Sequence, residues 1–190
     1  RIKASTAHVR TLEDLGIIVN DLARRAQEMF VAVVSDANQR VLEVQVHSIG
    51  SRKETGYYPE AMAGAILAVP GATQVDLVHN HPDGSRQLSD PDKRVAEHLR
   101  ELLDRTGVSM NRMAVVSSPE LTGSATVGSF VISDASGVSA TVDLEKTRGG
   151  FKIPVTERMM EYRASDTTLP MNANDVVKLL TTVSQGDGEP

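Results

Sequence analysis

At 190 residues with 40% hydrophobic content, the chain is long enough to bury one proper core with appendages. It has no cysteine, which excludes a disulfide framework and every cysteine-ligated metal site, including the Pro-Cys-x-x-Cys element of the zinc deaminases. A net charge of −5 and 3% aromatic residues argue against a strong phosphate-binding field or base-stacking platforms, and no apolar run approaches membrane-span length, so a cytoplasmic protein is the expectation.

In chain order, a helix is predicted from about Thr11 to Gln27, with Leu12, Leu15, Val19, Leu22 and Ala26 on one face and Thr11-x-x-Asp14 as its cap. Two strands follow, about Glu28 to Ser35 and Val41 to Ser48, joined by the turn-forming Asp36-Ala37-Asn38-Gln39. A helix from Pro59 to Val69 ends at Pro70-Gly71. The stretch Gln74 to Val78 reads as a strand that carries His79-Asn80-His81 at its end; side chains alternate there, so the two imidazoles share a face and Asn80 points away. Pro82-Asp83-Gly84 turns the chain, which re-enters regular structure at Ser89-Asp90-Pro91-Asp92, a helix start with Pro in its first turn. That helix buries Val95, Leu99, Leu102 and Leu103 and stops at Gly107, and Met113 to Ser117 gives another strand.

The β-β-α-β-α-β order predicts an α/β fold, a mixed sheet flanked by helices. Farther on, Thr126 to Ser133 and Val138 to Leu144 read as a hairpin around Asp134-Ala135-Ser136-Gly137. Two helical candidates follow, about Thr156 to Ala164 and Asn174 to Val183. The expected division is an N-terminal helix packing on the core (1–27), the core itself (28–145) and a C-terminal helical extension (146–190) that packs on the core, covers the cleft or mediates oligomers.

The chemistry lies in the middle of the chain. His79, His81 and Asp92 are three zinc-ligating side chains that converge from a strand end and a helix start, and three protein ligands leave a fourth tetrahedral position for water, as in catalytic sites. Taken singly, Ser89-x-x-Asp92 is a helix cap and each histidine a satisfied strand-end residue. Taken jointly, His, His, Pro, Ser and Asp at fixed offsets arise by chance in roughly one chain in ten thousand of this size. The joint pattern points to a hydrolase.

His79-x-His81-Pro82, then seven residues from His81 to Ser89, then two more to Asp92, resembles the JAMM motif of the JAB/MPN-type metalloproteases. Val78-His79-Asn80-His81-Pro82-Asp83-Gly84 followed by Leu88-Ser89-Asp90-Pro91-Asp92 looks most like the bacterial RadC-like branch, over about Glu28 to Ser118. The resemblance implies an MPN-type fold and one zinc per chain held by His79, His81 and Asp92. It also implies Ser89 assisting the oxyanion, an upstream Glu serving the bound water, and a protein or peptide substrate such as one carrying a ubiquitin-like modifier. In RadC-like chains the acid opens the first core strand before an aromatic-containing apolar run, and Glu28-Met29-Phe30 matches that description. Glu43 falls in an alternating strand, Glu54 in a loop beside Gly56, and Glu60 at a helix start where an acid complements the dipole.

Asp83, Leu88 and Asn111-Arg112 depart from the usual RadC-like Ser, Pro and Asp-His, away from the ligands. They leave the subfamily and its substrate open. The RadC name also carries an association with DNA, in repair or mobile-element biology, and a non-catalytic MPN-type scaffold is a third reading. Scaffolds of that kind typically lose ligand residues, whereas this chain keeps them.

Overall fold

A computed structural model describes residues 7–19, 28–49, 59–81, 85–117, 129–143 and 155–160. The unbroken run Phe30-Val31-Ala32-Val33-Val34 has no polar side to offer water, and it forms β1 (Phe30–Ser35), buried at every position. Strand β1 is flanked antiparallel by β2 (Val41–Ile49) and β3 (Gln74–His81). From β3 the chain passes through helix α3 (Asp90–Leu103) to β4 (Ser109–Ser117), which pairs parallel with β3 as such a crossover allows. The hairpin β5 (Ser129–Asp134) and β6 (Ser139–Asp143) continues antiparallel from β4. Its turn is the expected Asp134-Ala135-Ser136-Gly137, with Gly137 at φ +91 and Asp134 Oδ1 accepting from the Ser136 and Val138 amides. At the other edge β7 (Val155–Met160) lies parallel to β2, giving the order β6-β5-β4-β3-β1-β2-β7.

The fold is therefore the mixed sheet flanked by helices that the element order predicts. One element differs. The helical candidate over about Thr156 to Ala164 is, in its described part, strand β7. The flank of β2 presents a row of backbone N–H and C=O groups, and Val155 and Thr156 are β-branched residues suited to pairing there, so tertiary pairing overrides a short helical pattern. The first predicted helix begins as expected: α1 (Leu12–Ile18) carries a capping box in which Thr11 Oγ1 accepts from the Asp14 amide and the Asp14 carboxylate accepts from the Thr11 amide. Residues 20–27 of that prediction, and all of the candidate at about Asn174 to Val183, lie outside the described residues.

Two apolar layers sandwich the sheet. Leu12, Leu15 and Val19 of the α1 region pack with Val31, Val33, Val78, Val116, Phe130, Ile132 and Val142 on one face. On the other, Met62, Ala63 and Ile66 of α2 (Pro59–Leu67) and Ala96, Leu99 and Leu103 of α3 cover Phe30, Ala32, Val34, Val75 and Leu77. Odd positions of β3 thus face α2 and α3, and even positions face α1. Among the described residues no helix is long and apolar enough to cross a membrane.

The N-terminal segment is strapped across the α1 face. The Val9 amide donates to the Gln39 carbonyl, α1 lands on the hairpin, and between them Arg112 of β4 donates to the Arg10 carbonyl at 2.7 Å while standing 3.4 Å from Asp76 of β3. Of the two residues where the chain departs from the RadC-like pattern, Arg112 thus serves this strap, while Asn111 of β4 donates to Gln74 of β3 at 2.6 Å.

Two expected outcomes follow from this packing. A Cβ on Gly16 would stand 2.6 Å from Cγ2 of Val142, a β-branched side chain with little rotamer freedom, so Gly16→Ala should lower stability by about 1–3 kcal/mol in urea unfolding despite the better helix former. Burial raises the Asp76 carboxyl from 3.8 to about 6 against the opposing pull of Arg112. The folded chain then keeps a proton that the unfolded chain has lost between those pH values, so stability falls as pH rises from about 4 to about 6 and levels off above. The drop is on the order of 1–3 kcal/mol, and Asp76→Asn should flatten that part of a stability–pH curve.

Candidate metal centre

Strand β3 ends with His79 and His81 on the α2/α3 face, where the start of α3 meets it. His79 is fully buried and stacks on Phe30 of β1, ring centroids 4.3 Å apart, and His81 stands edge-on to it at 4.9 Å. The Met29 carbonyl lies 2.8 Å from His79 Nδ1, and a carbonyl only accepts, so Nδ1 carries the proton. In the neutral ring this leaves the lone pair on Nε2, which faces two carboxylates: Asp92 Oδ1 at 3.4 Å and Glu28 Oε2 at 3.9 Å.

Asp92 reaches the histidines because of its place in α3. The Pro at the helix start and the Ser89 cap fix the first turn: Ser89 Oγ accepts from the Asp92 amide and Asp92 Oδ2 accepts from the Ser89 amide. The same Oδ2 lies 2.9 Å from His81 Nε2. Cap and candidate ligand are therefore one carboxylate, and the two interpretations of Ser89-x-x-Asp92 coexist. Burial pushes the Asp92 carboxyl up, but the His81 hydrogen bond, the His79 ring and the two Ser89 bonds outweigh it and hold it at about 2. Burial pushes the His79 imidazole below its usual range, against the pull of Asp92. At neutral pH the centre holds neutral His79 beside ionised Asp92.

Glu28, His79 and His81 bring their ligand atoms within 4.8 Å of one another, and Asp92 joins through both imidazoles. Two N/O ligands of a tetrahedral zinc at about 2.0–2.1 Å stand about 3.3 Å apart, which the two histidine–Asp92 separations of 2.9 and 3.4 Å bracket. The proton on His79 Nδ1 is spent on a backbone carbonyl, the outer-shell arrangement that orients a metal-bound histidine. The donor set fits a divalent zinc.

The structure thus brings together Glu28, His79, His81 and Asp92, and places Ser89 at the N-cap beside Asp92. Glu60, one of the rejected acids, lies instead on α2, 3.3 Å from His98 of α3. Sequence reasoning passed over Asn80, which is buried and accepts from the Met29 amide at 2.7 Å. The available signal was a polar residue on the strand face that Val78 shares, where burial demands a hydrogen-bond partner.

The RadC-like JAB domain family matches residues 9–126 of the chain, more than half of its length. Among curated proteins, a UPF0758 protein of Shewanella piezotolerans is 29% identical over 104 residues, covering 55% of this chain and 46% of that protein. A UPF0758 protein of Shewanella pealeana is 28% identical over the same length and coverage. The chain therefore spans about half the length of the curated relatives it matches.

Zinc should raise the unfolding midpoint of the wild-type chain, the gain reaching about 2.7 kcal/mol at a free zinc concentration of 100 Kd. His81→Ala should show no such rise and should lose the roughly one zinc per chain that mass spectrometry is expected to find in wild type.

Proposed function

This chain belongs to the RadC-like JAB domain family, and on that premise we propose that it is a zinc-dependent hydrolase that cleaves a peptide or isopeptide bond. The observation that carries this reading is the convergence of His79 Nε2, His81 Nε2 and both Asp92 oxygens, with the exposed carboxylate of Glu28 at their margin. When bound, zinc would supply Lewis acidity for the scissile carbonyl and lower the pKa of water towards about 7.

The protein's own groups divide the remaining work. His79, His81 and Asp92 are the ligands, pre-oriented by the Met29 carbonyl and the Ser89 cap. Glu28, whose side chain is 57% exposed, is the general base that takes the proton from the attacking water and delivers it to the leaving amine. The Ser89 hydroxyl uses a lone pair on the Asp92 amide and keeps its O–H to donate to the developing oxyanion, a contribution on the order of 3 kcal/mol for such a donor. The substrate is a protein or peptide, such as one carrying a ubiquitin-like modifier. The net charge of −5 and two carboxylates at the centre disfavour the alternative of a nucleic-acid backbone there.

Glu28→Gln is expected to reduce hydrolysis of peptide and isopeptide substrates by about 100-fold to 10,000-fold while still loading with zinc at saturating metal. Hydrolysis by that variant at the wild-type rate would remove Glu28 from the mechanism. A zinc-loaded wild type inert towards every such substrate would leave the scaffold reading.

A further inference from the structure

Ladder pairing between β1 and β3 begins at Phe30 and His79. One residue earlier, two consecutive side chains of β3 grip the Met29 backbone from both ends: its carbonyl accepts from His79 Nδ1 at 2.8 Å, and its amide donates to Asn80 Oδ1 at 2.7 Å. The amide is a donor, which fixes the end of the Asn80 side chain that faces it. Met29 is covalently joined to Glu28, and the Glu28 carboxylate, more than half exposed, stands 3.9 Å from His79 Nε2. The gripped Met29 peptide fixes where the Glu28 main chain leaves the sheet, and with it the point from which the carboxylate reaches over the centre.

We propose that Asn80 is a positioning residue for Glu28, whose bond to the Met29 amide holds the Glu28 carboxylate over the His79, His81 and Asp92 centre. The inference deepens the hydrolase reading and rests on it for the role of Glu28, but the placement itself is independent of any substrate. Asn80 is not one of the proposed ligands; it acts at one remove, from the strand face opposite the histidines. The two halves of the grip have separate tasks. His79 cannot be changed without losing a ligand, whereas Asn80 can be changed with all three proposed ligands in place.

The test is a double-mutant cycle read on zinc affinity, measured with full-length protein against a chromophoric chelator and free of any activity. Loss of a nearby negative charge in Glu28→Gln should weaken zinc binding by about tenfold. Asn80→Leu, of similar shape but without an acceptor, should weaken it by a similar factor, and adding it to Glu28→Gln should change nothing more. Asn80→Asp retains an acceptor, so the Met29 amide should stay protected from hydrogen exchange in the metal-free protein and become unprotected in Asn80→Leu. Equal weakening by Asn80→Leu in both backgrounds would assign Asn80 to the ligands or to general stability and overturn the proposal. So would unchanged zinc affinity together with loss of Met29 protection. Coupling in the cycle with no hydrolysis by wild type would keep the positioning role and sink the hydrolase, whereas hydrolysis without coupling would do the reverse.

Discussion

The fully buried imidazole of His79 is the point on which this structure turns. A buried ring must place its N–H on an acceptor, and His79 places it on the Met29 carbonyl, at the very start of β1. That one bond chooses the tautomer, aims Nε2 away from the core, and ties the end of β3 to the residue beside Glu28. Phe30 stacked against the ring closes off rotation. The core strand and the candidate metal centre are therefore not separate features. The same packing that buries β1 and β3 sets the orientation of the imidazoles in the candidate centre.

Helix α3 supplies the other half through an ordinary device. A capping box needs an acid at its third position to satisfy the cap amide, and Asp92 does so with one oxygen that also meets His81. Its remaining oxygen faces His79. Satisfaction of a helix end thus orients a carboxylate towards two imidazoles, and the interactions that keep it ionised in a buried position come from the cap and the histidines themselves. At the opposite end of β3, Asp76 has a different fate. Its main partner, Arg112, is shared with the Arg10 carbonyl, burial dominates, and the carboxyl is held near 6. The deeper acid with one cationic partner keeps its proton to higher pH, and the shallower one with several hydrogen bonds loses it early.

Much of this was legible in the chain. Periodicity located α1, the four central strands and both helices over the α2/α3 face, because their apolar patterns report one-sided or two-sided burial directly. The offset between His79 and His81 placed both on one strand face, and Thr11-x-x-Asp14 and Ser89-x-x-Asp92 announced two helix starts that are present as capping boxes. The segment at Val155–Met160 was not legible. Its six residues satisfy both a short helix and a strand, and only the available flank of β2 decides between them. Asn80 was likewise read as merely pointing away, since nothing local says what waits on the far side of the strand.

By itself, then, the sequence determined the element order as far as β6 and the types and spacing of the candidate ligands along two elements, because those depend on interactions within a few residues. Tertiary structure alone decided that the Met29 backbone is clamped by two side chains 50 and 51 residues away and that β7 joins the sheet, and it places beside the histidines the Glu28 that the family resemblance had singled out. These depend on contacts between segments far apart in the chain, whose partners exist only once the sheet has closed around them.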